Sequence, residues 1–259
     1  MKLTFIGVEG IPMVEPGDDL VALIDEALAA SGEQLLADDV IVIAQKIISK
    51  AEDRYLDLRS VTPTEEAIRL GEEVDKDPRK VQAILDESNE IVRQRPGVLI
   101  VEQRSGFVQA NAGIDQSNIR LGDGDPDDLC LLLPIDSDAS AQRLHTTIRE
   151  RHNLEVGIII NDSLGRAWRM GTLGLAIGVA GFTALEDYIG GHDIFGRELL
   201  VTQVAAADEM AAGASLVMGQ TTEKTPVVIV RGYKPREPQE AHRKGVQPLI
   251  RPKEMDMFR

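Results

Sequence analysis

Apolar and polar residues alternate along this chain in segments whose lengths and periods are typical of strands and helices. Short apolar runs predict strands at residues 3–8, 40–44, 129–133, 156–160 and 227–230. Residues 98–101 and 107–110 predict two paired strands joined through Ser105-Gly106. Amphipathic stretches with capping residues predict helices at residues 20–28, 137–152 and 205–218, and two helical segments separated by Asp77-Pro78. We therefore expect an α/β fold, in the wider sense that includes α+β mixed sheets.

Two regions depart from this alternation. Residues 165–196 carry eight of the 23 glycines, which permit close approach of backbone to backbone or to a ligand. Residues 233–259 contain four prolines, seven basic and four acidic residues. We interpret residues 1–232 as the main folded unit and residues 233–259 as a basic, proline-containing tail that lies along an acidic surface of its own or a partner subunit.

Composition narrows the possible classes of protein. Cys130 is the only cysteine, so an intrachain disulfide and a cysteine-rich zinc site are excluded. The net charge of −15 disfavours broad binding to nucleic acid. We find neither a signal-peptide core nor an apolar stretch long enough to span a bilayer, and we expect a cytoplasmic protein.

Asp162 and Ser163 directly follow the most apolar predicted strand. In α/β sheets, ligands collect at the carboxyl ends of strands. A carboxylate and a hydroxyl are hard oxygen donors of the kind that Mg²⁺ or Mn²⁺ prefers. An equally good interpretation is that Asp162 only caps the following turn.

A second polar cluster lies at residues 111–118, where Gly113 permits a tight bend. Asp115 is a candidate second metal ligand, and Asn118 could hydrogen-bond a base or sugar. An ordinary polar turn is the alternative.

Lys46 and Lys50 follow the predicted central strand, directly after Gln45. Two ammonium groups leaving a buried strand could bind phosphates, although a solvated strand end is a common alternative.

Arg166 and Arg169 would share one face if their segment were helical, and guanidinium groups match carboxylate or phosphate oxygens. Trp168, between them, could be a ligand platform, but we expect it to be a core anchor. The loop at residues 218–225 could wrap a nucleotide, yet neither a Walker sequence nor a Rossmann glycine fingerprint is present.

An ordered set of short motifs resembles the family of coenzyme F-420-0:L-glutamate ligases. The resemblance extends over about residues 3–233, nearly the whole chain, and the order of the motifs is more specific than any one of them. They are VEGIP (8–12), ISKAE (48–52), NAGID (111–115), SN (117–118), LLLP (131–134), DSLGR (162–166), GREL (196–199), ADE (207–209), MG (218–219) and VRG (230–232).

The resemblance implies two intimately packed, interleaved α/β subdomains, an intertwined homodimer, and GTP with two Mg²⁺ or Mn²⁺ ions; K⁺ is a further candidate ion. The metal ligands implied by position are Asp115, Asp162, Ser163 and Gln220. Some family members have glutamate at the last position, and the amide of Gln220 would bind a metal more weakly. The implied nucleotide contacts are Ile11, Pro12, Met13, Val14, Gln45, Lys46, Lys50, Asn118, Met218, Gly219, Gln220, Thr221, Thr222, Glu223, Lys224 and Thr225.

The reaction implied is GTP-dependent amide formation between L-glutamate and coenzyme F-420-0. We expect an acyl-phosphate intermediate, because a carboxylate does not react with an amine unaided. Asp115 and Asp162 would act at the phosphates through metal, and Arg166 or Arg169 would hold acceptor phosphate or glutamate. Two alternatives stay open, a metal-dependent phosphohydrolase and a non-catalytic nucleotide-binding subunit. No flavin chemistry is expected of this chain.

Overall fold

A five-stranded mixed sheet forms the centre of the molecule, in a computed structural model that describes residues 2–121, 125–235 and 244–258. In spatial order its strands are β1 (Thr4–Gly7), β12 (Val227–Arg231), β2 (Val40–Ala44), β8 (Gly157–Leu164) and β9 (Leu173–Ala180). β2 and β8 run parallel, and the other neighbouring pairs are antiparallel. The mixed sheet confirms the predicted fold class.

Helices cover both faces of this sheet. Ile41 and Ile43 of β2 face a core shared with α1 (Leu20–Ser31), α2 (Gln45–Ala51) and α5 (Ser137–His152). Val40 and Val42 face the opposite core, which is shared with α6 (Ala206–Met218). A strand that is covered on both sides must be apolar at every position, and this explains the unbroken apolar sequence of β2.

A third hydrophobic cluster is built entirely from the segment between β2 and β8. This segment contains α3 (Glu65–Val74), α4 (Pro78–Asp86), the three-stranded sheet of β4 (Ser88–Arg95), β5 (Val98–Gln103) and β6 (Val108–Ala110), and the pair β3 (Tyr55–Asp57) and β7 (Leu129–Leu131). Leu58, Ile84 and Leu99 are fully buried in it. The antiparallel pairing of β5 with β6 was predicted and is confirmed.

Between β9 and α6 the chain forms a narrow antiparallel ribbon. Its base is β10 (Glu186–Asp187) paired with β11 (Gln203–Val204). Beyond the base, backbone hydrogen bonds join Gly190 to Leu199 and Asp193 to Arg197. We call residues 188–202 the arm.

The structure corrects the sequence prediction in the glycine-rich region, where β9 was missed. Gly174 and Gly178 are strand residues at which any side chain would collide with α5 or α6. A Cβ at Gly178 would lie 2.4 Å from the backbone oxygen of Ser137. The glycines therefore let a strand pack closely against helices, which confirms the expected close approach of backbone to backbone, although no strand was predicted there.

Three further predictions near the site are corrected. β8 does not end at Ile160 but continues through Leu164, because β9 pairs with it along its whole length. The segment carrying Arg166 and Arg169 forms turns at the tip of the β8–β9 hairpin and is not helical. Trp168 is 86% exposed at that tip, so the prediction of a core anchor is wrong.

The described part of the predicted tail packs on its own chain. Val246 is buried in the core beside α6, and its amide donates to the carboxylate of Asp138. Lys253 pairs with Glu90 at 3.1 Å and with Glu102 at 3.4 Å. These contacts agree with the expectation that the basic tail lies on acidic residues of its own subunit. Residues 236–243 of the tail, and residues 122–124, lie outside the described residues.

No helix in the described ranges is long and apolar enough to cross a membrane. The division between residues 232 and 233, the subdomains and the homodimer stay predictions.

A buried ion pair links the residue directly before β2 to the last residue of β12, and it is the basis of a stability prediction. Both carboxylate oxygens of Asp39, which is 1% exposed, accept hydrogen bonds from Arg231, at 3.0 and 2.9 Å. We expect Asp39→Asn to lower the free energy of unfolding by about 3 kcal/mol, because it removes the buried counter-charge and leaves the partly buried guanidinium only the more exposed carboxylate of Glu33, at 3.5 Å. Urea denaturation measures this change.

The matched control is Asp57→Asn, which alters an exposed aspartate that also forms a bidentate pair, with Arg59. We expect it to leave the unfolding midpoint nearly unchanged. If both variants lost the same free energy of unfolding, burial of the ion pair would not be the reason for its contribution to stability.

Candidate active site

A cavity of about 560 Å³ opens where the parallel pair of β2 and β8 ends. Its walls come from five separate parts of the chain: the loop before α1, the start of α2, the turn around Asp115, the end of β8, and the segment between α6 and β12. Every predicted nucleotide contact and metal ligand lines this cavity, whereas Arg166 and Arg169 do not. The remaining lining residues are Ala44, Ile47, Ser117, Ile119, Arg120, Asn161 and Pro226.

α2 begins directly after β2, and its first turn supports one of the two carboxylates. The side chain of Gln45, which is 2% exposed, accepts a hydrogen bond from Ser49 at 2.9 Å. Its amide then donates to Oδ2 of Asp115, also at 2.9 Å. The hydroxyl of Ser49 thus fixes the orientation of the Gln45 amide, which in turn holds Asp115.

The backbone also fixes Asp115. Three consecutive residues before it, Asn111, Ala112 and Gly113, have φ values of 52°, 55° and 71°. A run of left-handed residues is costly for a chain of L-amino acids, and such strain is concentrated at functional sites. After this turn, Asp115 forms a β-bridge with Leu131, with two backbone hydrogen bonds of 3.0 and 2.9 Å.

Asp162 faces the same cavity from β8. β2 ends opposite Asn161, so Asp162 is the first residue of β8 beyond the parallel pair. Burial and, secondarily, the negative charge of Asp115 raise the pKa of Asp162 to about 7, against the opposing effects of the Ser163 amide and Lys46. The raised pKa means that the ionised form of Asp162 is energetically unfavourable here, and a bound cation would stabilise that form.

Ser163 and Gln220 meet beside this carboxylate. The hydroxyl of Ser163 donates to the side-chain oxygen of Gln220 at 2.7 Å. The predicted metal ligands are therefore brought to one wall, although they come from three distant parts of the sequence. Two carboxylates, a hydroxyl and an amide oxygen are donors that fit Mg²⁺ or Mn²⁺, which keeps several waters in its coordination shell. No cluster of three or more His, Cys, Asp or Glu side chains suited to a metal occurs among the residues that the structure describes.

The two lysines of α2 are placed differently from each other. Lys46 lies 3.3 Å from Oδ2 of Asp115 and donates to the carbonyl of Ser117 at 2.9 Å. Lys50 is only 5% exposed, so the interpretation of a solvated strand end does not describe it. It donates to the carbonyl of Asn118 at 3.0 Å, and burial, followed by the charge of Lys46, lowers its pKa.

The segment after α6 closes the cavity on the remaining side. Gly219 ends the helix with a φ of 72°, and Lys224 also has a positive φ, 55°. Within this loop Glu223 accepts a hydrogen bond from the Thr221 amide at 2.8 Å. Asn118 donates from its side chain to the carbonyl of Thr221 at 3.0 Å, so the loop is tied to the turn that carries Asp115.

The cavity residues that sequence reasoning did not select are mostly neighbours of those that it did. Asn161 adjoins Asp162, and Ser117 adjoins Asn118. Arg120 is an exposed arginine at the rim, and no pattern in the sequence distinguishes it from other exposed arginines. The arrangement combines carboxylates on one wall with ammonium groups nearby, as required to bind a phosphate chain together with a divalent cation.

Comparison with known proteins gives a consistent result along the whole chain. The model of a protein family described as F420-0:Gamma-glutamyl ligase matches residues 10–232. The chain is 47% identical to a coenzyme F420:L-glutamate ligase from Methanothermobacter thermautotrophicus, with all of both chains aligned. It is 43% identical to the protein of that name from Methanocaldococcus jannaschii, over all of this chain and 97% of the relative. For the one from Archaeoglobus fulgidus the identity is 41%, over 90% of this chain and 88% of the relative.

The hydrogen bond from Gln45 to Asp115 generates a prediction about metal binding. Gln45→Leu removes the donor but keeps a side chain of similar size. We expect the affinity for Mn²⁺, measured by calorimetry in the presence of a guanine nucleotide, to fall about 10- to 100-fold, as is typical when a support of a metal ligand is lost.

Gln142→Leu is the control, because Gln142 also donates an amide hydrogen bond, to Thr146, but on the exposed surface of α5. An unchanged Mn²⁺ affinity in Gln45→Leu would show that Asp115 is not held through this residue or is not a ligand.

Proposed function

The chain belongs to the F420-0:gamma-glutamyl ligase family, and we propose that it joins L-glutamate to coenzyme F420-0 with GTP as the source of energy. The observation that carries the proposal is the convergence of Asp115, Asp162, Lys46 and Lys50 on one cavity. A ligase of this kind must bind a nucleotide, a divalent cation and an acceptor together. The single buried cysteine fits a reducing cytoplasm.

The acidic wall is the proposed metal site. Asp115, Asp162, Ser163 and Gln220 would hold Mg²⁺ or Mn²⁺, with two ions and an additional K⁺ as the fullest occupancy. When bound, a divalent ion supplies positive charge to the phosphate oxygens during phosphoryl transfer. The chain's own part is to keep two carboxylates close together despite their mutual repulsion, which the contacts of Asp115 with Gln45 and Lys46 make possible.

The lysines are the proposed binding groups for the phosphates of GTP. Lys50 is buried and has a lowered pKa, so an anion beside it would restore a favourable environment for its charge. If Asp115 bound a metal ion, its attraction to the ammonium group of Lys46 would weaken. Lys46 could then contact a phosphate of the nucleotide. The loop at residues 218–225 and Asn118 would contact the base and sugar, and residues 11–14 would complete the opposite wall.

The proposed chemistry has two balanced steps. A carboxylate oxygen of the acceptor attacks the γ-phosphorus of GTP, the bond to the β-phosphate oxygen breaks, and GDP leaves. The amine of L-glutamate then attacks the acyl carbon, phosphate leaves, and the nitrogen loses its proton to form the amide. The cavity would serve these two steps by binding the phosphates beside the fixed positive charges of Lys46 and Lys50.

Mass spectrometry of F420-0 incubated with the protein, GTP, Mn²⁺ and L-glutamate tests the proposal. We expect a product heavier by one or more glutamyl residues, and stoichiometric GDP. Asp162→Asn should keep the fold and reduce turnover by about 100-fold or more, since it removes one of the two carboxylates. Asp86→Asn, at an exposed aspartate of α4, is the isosteric control and should be fully active.

Two results would contradict the proposal. Release of phosphate from GTP without acceptor or glutamate would favour a metal-dependent phosphohydrolase. Binding of GTP with no turnover under any condition would favour a non-catalytic nucleotide-binding subunit.

We also propose that the protein acts as a homodimer and that the arm supplies much of the interface. The arm contacts itself mainly through backbone hydrogen bonds, and an isolated two-stranded ribbon is at best marginally stable in water. It nevertheless exposes an unusual number of large apolar side chains, namely Ile189, Ile194, Phe195, Leu200 and Val201. Apolar surface of this extent is characteristic of a subunit interface.

The double variant Ile194→Asp/Phe195→Asp tests this assignment. Light scattering should give twice 28.3 kDa for the unchanged protein and 28.3 kDa for the variant, because two buried charges oppose association. Ile135→Asp, at another exposed isoleucine, is the control and should keep the larger mass. If the double variant remained dimeric, the arm would not be part of the interface.

A further inference from the structure

Two exposed aromatic rings lie together at the tip of the β8–β9 hairpin, outside the cavity. Trp168, in the hairpin, and Phe258, in the tail, have ring centroids 6.2 Å apart with planes tilted by 59°. The two side chains are 86% and 53% exposed. Aromatic rings contribute most to stability when buried, so a pair left open to solvent is available to bind something else.

The backbone holds this pair in place at a cost. Trp168 has a φ of 65°, which is a rare conformation for a large side chain, and strain of this kind is concentrated at ligand contacts. Phe258 is positioned by the tail, whose last described turn is closed by a hydrogen bond from the Phe258 amide to Asp256 at 2.9 Å. Val246 and Lys253 anchor the same segment to the body of the protein.

The hairpin connects the rings directly to the proposed active site. Ser163 lines the cavity, and five residues further along the same hairpin is Trp168, so their Cα atoms are at most about 18 Å apart. Arg169 adjoins the tryptophan, is exposed, and has no ion-pair partner among residues that the structure describes. Two open rings beside an unpaired guanidinium fit a ligand that is planar at one end and anionic further along.

We propose that Trp168 and Phe258, which we call the ring platform, bind the planar ring of the acceptor F420-0, which is a deazaflavin. Arg169 then contacts the acceptor phosphate, the role that the sequence suggested for Arg166 or Arg169. This proposal rests on the proposed function, because it assigns the acceptor to the outer end of the same site. A ring held at the hairpin tip leaves the acidic chain of the acceptor free to extend toward Ser163 and the nucleotide. The ring platform therefore explains how an acceptor much larger than its reacting carboxylate is positioned without filling the nucleotide cavity.

The only tryptophan of the chain is in the platform, which makes binding directly observable. We expect the fluorescence of Trp168 to be quenched on addition of F420-0 without GTP or glutamate. Trp168→Phe contains no tryptophan and provides the blank for light absorbed by the ligand. Absence of quenching after this correction would overturn the proposal, whether or not the protein turns over.

Steady-state kinetics give the second test. Trp168→Ala and Phe258→Ala should each raise the KM for F420-0 about tenfold, and Trp168→Phe should retain an affinity within about threefold of the unchanged protein, since a flat ring is kept. The KM for GTP should not change. Ile135→Ala, at an exposed apolar residue elsewhere, is the control and should alter neither constant.

The outcomes distinguish this proposal from the ligase assignment. If both alanine variants formed product with an unchanged KM for F420-0, the ring platform proposal would be wrong and the ligase proposal would be unaffected. Quenching by F420-0 without any glutamylated product would overturn the ligase and support the platform as a binding site. If Trp168→Ala instead halves the mass in light scattering, the rings belong to a subunit interface and the proposal fails.

Discussion

The parallel pairing of β2 with β8 is the constraint on which the rest of the structure depends. Parallel neighbours cannot be joined by a tight turn, so the chain must cross over between them. Here the crossover includes α2, the entire third hydrophobic cluster and α5. Its length lets the turn that carries Asp115 reach the end of the parallel pair, where Asp162 emerges from β8. The central strand pairing thus determines where the two carboxylates meet.

Charge is balanced locally in this site rather than over the whole molecule. The chain is strongly acidic, yet Lys46 and Lys50 are held against the turn at residues 115–118 by hydrogen bonds to its carbonyls and carboxylate. Burial, followed by the negative charge of Asp115, raises the pKa of Asp162, and burial lowers the pKa of Lys50. Groups of both signs are therefore kept in unfavourable environments that a phosphate chain and a cation would improve together, which is the electrostatic basis of the proposed binding.

Two parts of the molecular surface, the arm and the tip of the β8–β9 hairpin, expose apolar side chains that no other part of the described chain covers. The arm presents five large apolar side chains, and the hairpin tip presents Trp168. The two surfaces differ in chemistry: the first is aliphatic apart from Phe195 and extends along a ribbon, whereas the second combines two aromatic rings with the exposed Met170 and adjoins Arg169. This difference is the reason to assign a second subunit to the arm and a planar anionic ligand to the ring pair.

The sequence by itself determined the fold class, four of the five strands of the central sheet and most helices, because these follow from apolar periodicity and capping within a short window. It also identified the residues around the cavity through an ordered set of motifs, although no motif could place one beside another. The tertiary structure alone decided three points. The strand β9 was not predicted, because the close packing of its glycines on α5 and α6 depends on residues distant in sequence. Arg166 and Arg169 follow Asp162 closely in sequence, but β9 extends β8 into a hairpin whose tip carries them outside the cavity, and their role toward the acceptor stays a prediction. The exposure of Trp168 followed from the same hairpin, since nothing in the local pattern reveals whether another element covers an apolar side chain.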